Sequence, residues 1–320
     1  IWGGRRLRTL FGKDIPIDKP IGEAWVISDH PSAPSVVAEG PHTGKTLHQL
    51  IEEDPVAVLG NPALLTPNGR FPLLLKILDA EDVLSVQVHP DDLTAKELGE
   101  PDVGKTESWY VLYADPGAEL ICGVRSGTSD TQFEAALKVG KLDELLIHKP
   151  VIEGDAVFVS AGIVHAIGGG IVLAEIQQNS DLTYRLHDWN RVDSAGKSRE
   201  LHIEKGHRAT KLDAKPSWRE ITTPKKSKIN SSYFELIFES DFFSVARIEV
   251  EGEIDFDTLN HFLIVFCEKG SIIVSNETEK SVLERASSLL IPACINKITL
   301  NGEGSILLYA TRSFRGEYIE

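Results

Sequence analysis

The sequence predicts an all-β protein, a sandwich or barrel of many short strands. Three observations carry that prediction. Short apolar runs recur along the chain: "AWVIS", "FPLLLKIL", "SVQVH", "SWYVLY", "ELICGV", "DAVFVS" and "IVLAEIQ". They alternate or are rich in β-branched residues, and Gly, Pro and Asp separate them, the pattern of strands joined by turns. Helical periodicity is rare. Finally, "EGDAVFVSAGIVHAI" (153–167) and "ERASSLLIPACINKI" (284–298) share a glutamate, a hydrophobic run and an alanine turn, as two copies of one β architecture would.

Taken in order, "FPLLLKILDA" (71–80) reads as a buried strand interrupted by Lys76. "SVQVHPDD" (85–92) reads as the end of another. In an extended chain alternate residues share a face. Ser85, Gln87 and His89 therefore point one way and Val86 and Val88 the other, the valines toward the core. Pro90 and Asp91 open a short helix over 91–100. The segment 129–147 is the best helical pattern. Asp130 is its candidate cap, Phe133, Leu137, Leu142, Leu145 and Leu146 lie near one face, and Gly140 breaks it in two. The stretch 212–232 is polar and rich in Pro, Lys and Ser, which marks a linker-like boundary. Strands return in "FFSVARIEVEG", "FLIVFCEKGSIIV" and "SLLIPACINKITL". When Ala161 is aligned with Ala293, His165 falls on Lys297, so only the first copy keeps a histidine there. The division predicted is 1–211, with a small helical insertion at about 91–147, then 212–232, then 233–320.

Composition narrows the function. A chain of 320 residues, 42% hydrophobic, suffices for one large or two ordinary domains. A formal net charge of -15 argues against nucleic-acid binding as the main activity and leaves room for a local basic pocket for a small anion. Three cysteines, Cys122, Cys267 and Cys294, lie far apart with no CxxC, which fits a reducing compartment. No run approaches the roughly 18 apolar residues of a membrane span. The expectation is a soluble cytoplasmic protein without a membrane or nucleic-acid partner; no protein partner is indicated.

Four polar side chains stand at strand ends: Gln87, His89, Glu107 and His165. Two imidazoles and a carboxylate suit zinc, or iron and related ions, with Gln87 as a neutral oxygen donor. Spacing alone leaves a second reading open, in which both histidines are ordinary hydrogen-bonded residues near loops. The segment "EIQQNSDLTYRLHDWNR" (175–191) begins as a buried strand, and charged groups enter such strands when paired or functional. Glu175 and Arg185 are read as functional; Asp188 and Arg191 are read as a surface ion pair. Lys76 either snorkels to a rim or faces a pocket, where it can hold a phosphate as a point charge, with Ser85 adding a donor. Lys105 shares a face with Glu107; close to a metal its charged form would be disfavoured, which makes it a candidate proton carrier, or else it is a solvated loop lysine. "HAIGGGI" (165–171) lacks the GxxxxGK[ST] pattern and reads as a turn.

The blocks "IWGG", "IGEAWVISDHP", "FPLLLKILDA", "LSVQVHPDD", "GKTESWYVLYADPGAE", "GDAVFVSAGIVHAIGGG", "EIQQNSDLTYRLHDW" and "RELHIEK", in this order, resemble the type I mannose-6-phosphate isomerases, in their shorter bacterial form. The resemblance is strongest from residue 1 to about 208 and weaker but continuous beyond. It implies a cupin-type double jelly roll with a helical insertion. It implies one zinc ion per chain, held by Gln87, His89, Glu107 and His165, the Gln87 position being variable in the family. Arg185 matches the active-site arginine, Lys105 and Glu175 match groups assigned to proton handling, and Lys76 and Ser85 match the phosphate end. Ser160 departs from the family's P-A-G-x-x-H turn, where proline stands. The implied reaction interconverts mannose 6-phosphate and fructose 6-phosphate through a cis-enediol. The alternative is a non-catalytic sugar-binding cupin or another metal-dependent one. An oxygenase of that fold would carry H-x-H where this chain has Gln87-Val88-His89.

Overall fold

The computed structural model describes residues 2–16, 18–192, 196–219, 227–311 and 313–314. Its helices are α1 (Arg6–Thr9), α2 (Leu47–Glu53), α3 (Pro55–Leu59), α4 (Asp92–Glu97), α5 (Asp130–Val139) and α6 (Ile203–Ala209). Its strands are β1 (Glu23–Ile27), β2 (Leu73–Ala80), β3 (Val86–Val88), β4 (Glu107–Ala114), β5 (Glu119–Val124), β6 (Leu146–Pro150), β7 (Ala156–Val159), β8 (His165–Ile167), β9 (Ile171–Gln178), β10 (Tyr184–His187) and β11 (Ser217–Arg219). β12 (Ser227–Ile229), β13 (Ser232–Glu239), β14 (Ser244–Asp257), β15 (Leu263–Ser275), β16 (Lys280–Glu284), β17 (Ser288–Ile291) and β18 (Lys297–Ala310) complete the chain. The strand-rich class expected from the sequence is the class observed. Among the described residues no helix is long and apolar enough to cross a membrane.

The chain divides into two compact units, residues 1–24 with 75–219, and 25–74 with 220–320. Residues 25–74 thus group with the C-terminal unit, a placement outside the division into 1–211 and 233–320 read from composition. In the stretch 212–232, β11 pairs with β7 and β12 with β13, while 220–226 lie outside the described residues.

The first unit is built on two sheets, β2-β9-β4-β7-β11, with β2 counted from Leu75 onward, and β10-β3-β8-β5-β6. β2 and β9 are buried along their whole length, so their polar residues sit in the interior. Trp109, Val111, Leu120, Val157, Ile167 and Leu173 form part of the core cluster shared by the two sheets. Each such side chain is worth about 1.5–3 kcal/mol of burial, which offsets the charged groups carried nearby. Val86 and Val88 pack elsewhere. They join Phe133 and Leu137 of α5, and Leu186 and Ala209, on the helix-covered face of the second sheet. The polar side of β3 is the side that faces the first sheet, so the valines meet helices and not the inter-sheet core. The physical reason is that α5 and α6 bring the apolar cover to the outside.

Between 91 and 147, α4 and α5 flank β4 and β5, strands of opposite sheets. Asp91 caps α4 by accepting from the Thr94 N–H. The cap of α5 is Ser129 and not Asp130: Ser129 and Gln132 form a reciprocal capping box. Asp130 instead occupies the first turn, where a carboxylate complements the helix dipole. Gly140 ends the helix at φ 70°, a left-handed conformation that costs glycine nothing.

The second unit holds one large sheet, β12-β13-β14-β18-β15-β16, with β17 paired to β15. Shifting by 132 residues carries Ala156 onto Ser288, His165 onto Lys297 and Gln178 onto Ala310, so that β7, β8 and β9 superpose in sequence on β17 and β18. Pairing extends the match. Gln87 faces His165 as Asp257 faces Lys297, and Glu107 faces Val159 as Leu263 faces Ile291. The second copy therefore carries Asp257, Leu263 and Lys297 where the first has Gln87, Glu107 and His165. Gly60 lets the segment 25–74 join this unit: at φ 76° a Cβ there would lie 2.0 Å from the Asn260 carbonyl oxygen.

Candidate functional site

The two sheets of the first unit bring the polar strand ends together. β4 supplies Glu107, with Lys105 just before it, and β9 supplies Glu175. The other sheet supplies Gln87 from β3, His89 just after it, and His165 from β8. Antiparallel pairing sets Gln87 opposite His165 on one side and Arg185 on the other. The period of two in β3 thus becomes a row of polar groups across three strands.

His89, Glu107 and His165 are buried, and their ligand atoms all lie within 4.8 Å of one another. His89 Nε2 is 3.5 Å from Glu107 Oε2, and His165 Nε2 is 3.2 Å from Glu107 Oε1. Each imidazole gives its Nδ1 proton to a backbone carbonyl, His89 to Leu182 at 2.7 Å and His165 to Ile163 at 2.8 Å. That fixes the tautomer and leaves each Nε2 as an acceptor beside the Glu107 carboxylate. Among the described residues, His89 Nε2 and both Glu107 oxygens are buried without a hydrogen-bond partner. Such orphaned acceptors are costly. Two imidazole nitrogens and a carboxylate are the donor set of a divalent ion, so the residues fit the metal that the sequence implied. Gln87 Nε2 lies 3.3 Å from His165 Nε2; rotating the amide would bring its oxygen to the same place.

The charges around this point are strongly perturbed. Burial, joined by the nearby charge of Lys105, holds His89 well below the usual imidazole range, and burial holds His165 down to about 4. Both rings are therefore neutral, the form that binds metal. Burial also pushes Glu107 up to about 7, against the attraction of Lys105. Lys105 Nζ sits 2.9 Å from Glu107 Oε2 and 3.5 Å from Glu175 Oε1. The first of these is an ion pair without hydrogen-bond alignment. Burial opposes the charge on Lys105, but the two carboxylates outweigh it and its pKa rises. Its charged form is therefore favoured, not disfavoured as expected from sequence, and the residue is buried rather than a solvated loop lysine. Burial likewise raises Glu175, while Lys105, Lys76 and a hydrogen bond from Trp109 bring it below the usual carboxylate range.

Lys76 is buried in β2, with Glu23 Oε2 at 3.7 Å and Asp181 Oδ1 at 3.9 Å from its Nζ. It also acts electrostatically on His89, Glu107 and Glu175, which puts it beside the histidine–glutamate group. Ser85 is buried at the start of the same row as Gln87. Arg185 Nη1 donates to the Glu200 carbonyl at 2.9 Å, and its Nε is buried with no partner among the described residues. Asp188 takes the other arginines: Arg199 Nε at 2.7 Å and Arg191 Nη2 at 2.6 Å. Asp188 is buried, so this ion pair is not the surface contact expected from sequence.

Trp109 and Glu23 were not singled out by sequence reasoning, and Asp181 was only one of the charged groups of 175–191, with no site role given to it. The first had a signal, its position two residues beyond Glu107 on one strand face. The others acquire a part only through Lys76.

Comparison with known proteins finds similarity along almost the whole chain. The profile of the family described as "Phosphomannose isomerase type I, catalytic domain" matches residues 1–111, and that of "Mannose-6-phosphate isomerase, cupin domain" matches 235–310. The mannose-6-phosphate isomerase of Streptococcus mutans is 38% identical, over 96% of this chain and 93% of that protein. The Bacillus subtilis enzyme of the same name is 35% identical, over 94% of this chain and 92% of that protein. A crystal structure of the mannose 6-phosphate isomerase from Bacillus subtilis superposes with a TM-score of 0.87 at 34% identity, covering 97% of this chain and 95% of that one. With a cupin unit, a buried histidine–glutamate group and relatives of this identity along almost the whole chain, the protein belongs to the type I phosphomannose isomerase family.

Proposed function

We propose that the protein is a zinc-dependent aldose–ketose isomerase that interconverts mannose 6-phosphate and fructose 6-phosphate through a cis-enediol. The observation that carries this reading is the buried His89–Glu107–His165 group with its unpartnered acceptors, set against the ionic row Glu107–Lys105–Glu175. The relatives named as mannose-6-phosphate isomerases support the substrate. A zinc ion held by His89, Glu107 and His165, with Gln87 beside them, would supply Lewis acidity toward the sugar carbonyl.

The chain's own residues do the rest. The reaction moves one proton between C1 and C2 and another between O1 and O2. Lys105 and Glu175, 3.5 Å apart, are the pair proposed to carry protons at those atoms. Arg185 presents a permanent cation whose Nε has no partner among the described residues, suited to the negative charge that grows as the enediol forms. Lys76 and Ser85 are assigned to the phosphate end. Burial strengthens the attraction of Lys76 for a dianion, which then competes with Glu23 and Asp181.

The test is a coupled assay for fructose 6-phosphate formed from mannose 6-phosphate, with metal analysis of the same sample. About one zinc per chain is expected, and its removal by a chelator should abolish turnover. A metal-loaded protein that binds the sugar phosphate without converting it would instead favour a sugar-binding cupin.

A further inference from the structure

Glu175 has two carboxylate oxygens, and the fold gives them different neighbours. Oε1 lies 3.5 Å from Lys105 Nζ, whereas Oε2 accepts the indole N–H of Trp109 at 2.9 Å. We infer that Trp109 is a positioning residue for the isomerase reaction, holding the Glu175 carboxylate so that its other oxygen faces Lys105. The inference rests on the function proposed above and extends it to a residue outside the metal, proton-transfer and phosphate groups.

The placement of Trp109 follows from register. It stands two residues after Glu107 on β4, so both side chains project from one face, and its Cα partner on β9 is Glu175. The side chain is fully buried, at 0% exposure. A buried indole N–H needs an acceptor, and the one it has is a carboxylate. The ring packs against His165 in a T-shaped arrangement, with centroids 5.3 Å apart and planes at 74°. One rigid side chain therefore abuts a proposed metal ligand and orients a proposed proton carrier. Glutamate has three rotatable side-chain bonds and two nearby cations, Lys105 and Lys76, act on this one. Without the indole donor its carboxylate has no fixed reference direction. Phenylalanine would fill most of the same core space but would not set that direction. A purely structural Trp109 would affect stability and metal seating, not the chemistry at Glu175.

The experiment uses the zinc-loaded full chain and two replacements. Trp109→Phe removes the N–H, and incorporation of benzothienylalanine at 109 replaces the N–H by sulfur with almost no change of shape. The isostere answers the question even where the phenylalanine variant folds poorly. The expected result, for both, is a loss of kcat on the order of tenfold with KM within about twofold and metal content unchanged. In a Glu175→Ala background, the same replacement at 109 should change the residual kcat by less than about twofold, because the partner is gone. Three results would overturn the inference: an isostere with wild-type kcat, a metal content that falls in step with kcat, or an undiminished loss in the Glu175→Ala background. A wild-type protein inactive on mannose 6-phosphate would remove the proposed function itself, an outcome read before either variant is made.

Discussion

Arginine 185 separates chemistry from scaffolding, because its structural bonds can be counted. Its backbone N–H donates to His202 Nδ1 at 3.1 Å, and its carbonyl accepts from the His202 N–H at 2.8 Å. Both survive replacement by alanine. Among the described residues the side chain contributes one bond to a protein acceptor, Nη1 to the Glu200 carbonyl, and forms no ion pair. Losing that bond and some packing of the stem costs about 1–2 kcal/mol, or ~2–8 °C in Tm for a unit of this size. The catalytic loss is expected to be larger. Removing one donor to a developing oxyanion typically lowers kcat by roughly 100- to 1000-fold. Arg185→Ala should therefore melt a few degrees lower, keep its metal and its KM within a few-fold, and lose kcat by about that factor. The measurements are the coupled isomerase assay, calorimetric melting and metal analysis on one preparation. A folded variant with wild-type kcat would end the catalytic assignment; a large fall in Tm with kcat per folded molecule intact would make Arg185 a fastener of β10.

Other substitutions probe other parts. Lys76→Ala should raise KM for the phosphorylated sugar by tenfold or more, on the order of one lost buried charge contact, and leave metal content alone; an unchanged KM removes Lys76 from the phosphate end. In metal-free protein, His165 has a folded pKa of about 4 against an ordinary 6.5. Its contribution is complete above 6.5 and is lost as the pH falls through 4, so wild type should lose roughly 3 kcal/mol more than His165→Gln across that window. Denaturant melts of both proteins in chelator at several pH values check this, and parallel curves would refute it. Lys297, exposed and paired with Asp255 at 2.7 Å, stands where the first copy has His165. Lys297→Ala should leave zinc content and kcat unchanged, and a measurable loss of metal would show that the second unit holds some.

The sequence by itself determined the local rules. Alternation in "SVQVH" put Ser85, Gln87 and His89 on one face, the spacing of two strands around a turn linked His165 to Lys297, and the chemistry of two imidazoles and a carboxylate made a metal set one of two open readings. Those signals are legible because strand period and ligand chemistry are properties of neighbouring residues. Tertiary structure decided what local rules leave open. A period of two says that the faces of β3 differ, but α5 and α6, contributed from further along the chain, decide that the valines are covered by helices and the polar row faces inward. Register between β4 and β9 decides that Trp109 meets Glu175, residues 66 apart in the chain. Burial decides the charges: in a low-dielectric interior Lys105 takes its state from Glu107 and Glu175, and not from its place in a glycine-flanked turn. The grouping of 25–74 with the C-terminal unit is of the same kind, since it depends on close approaches such as Gly60 to Asn260 that no linear pattern encodes.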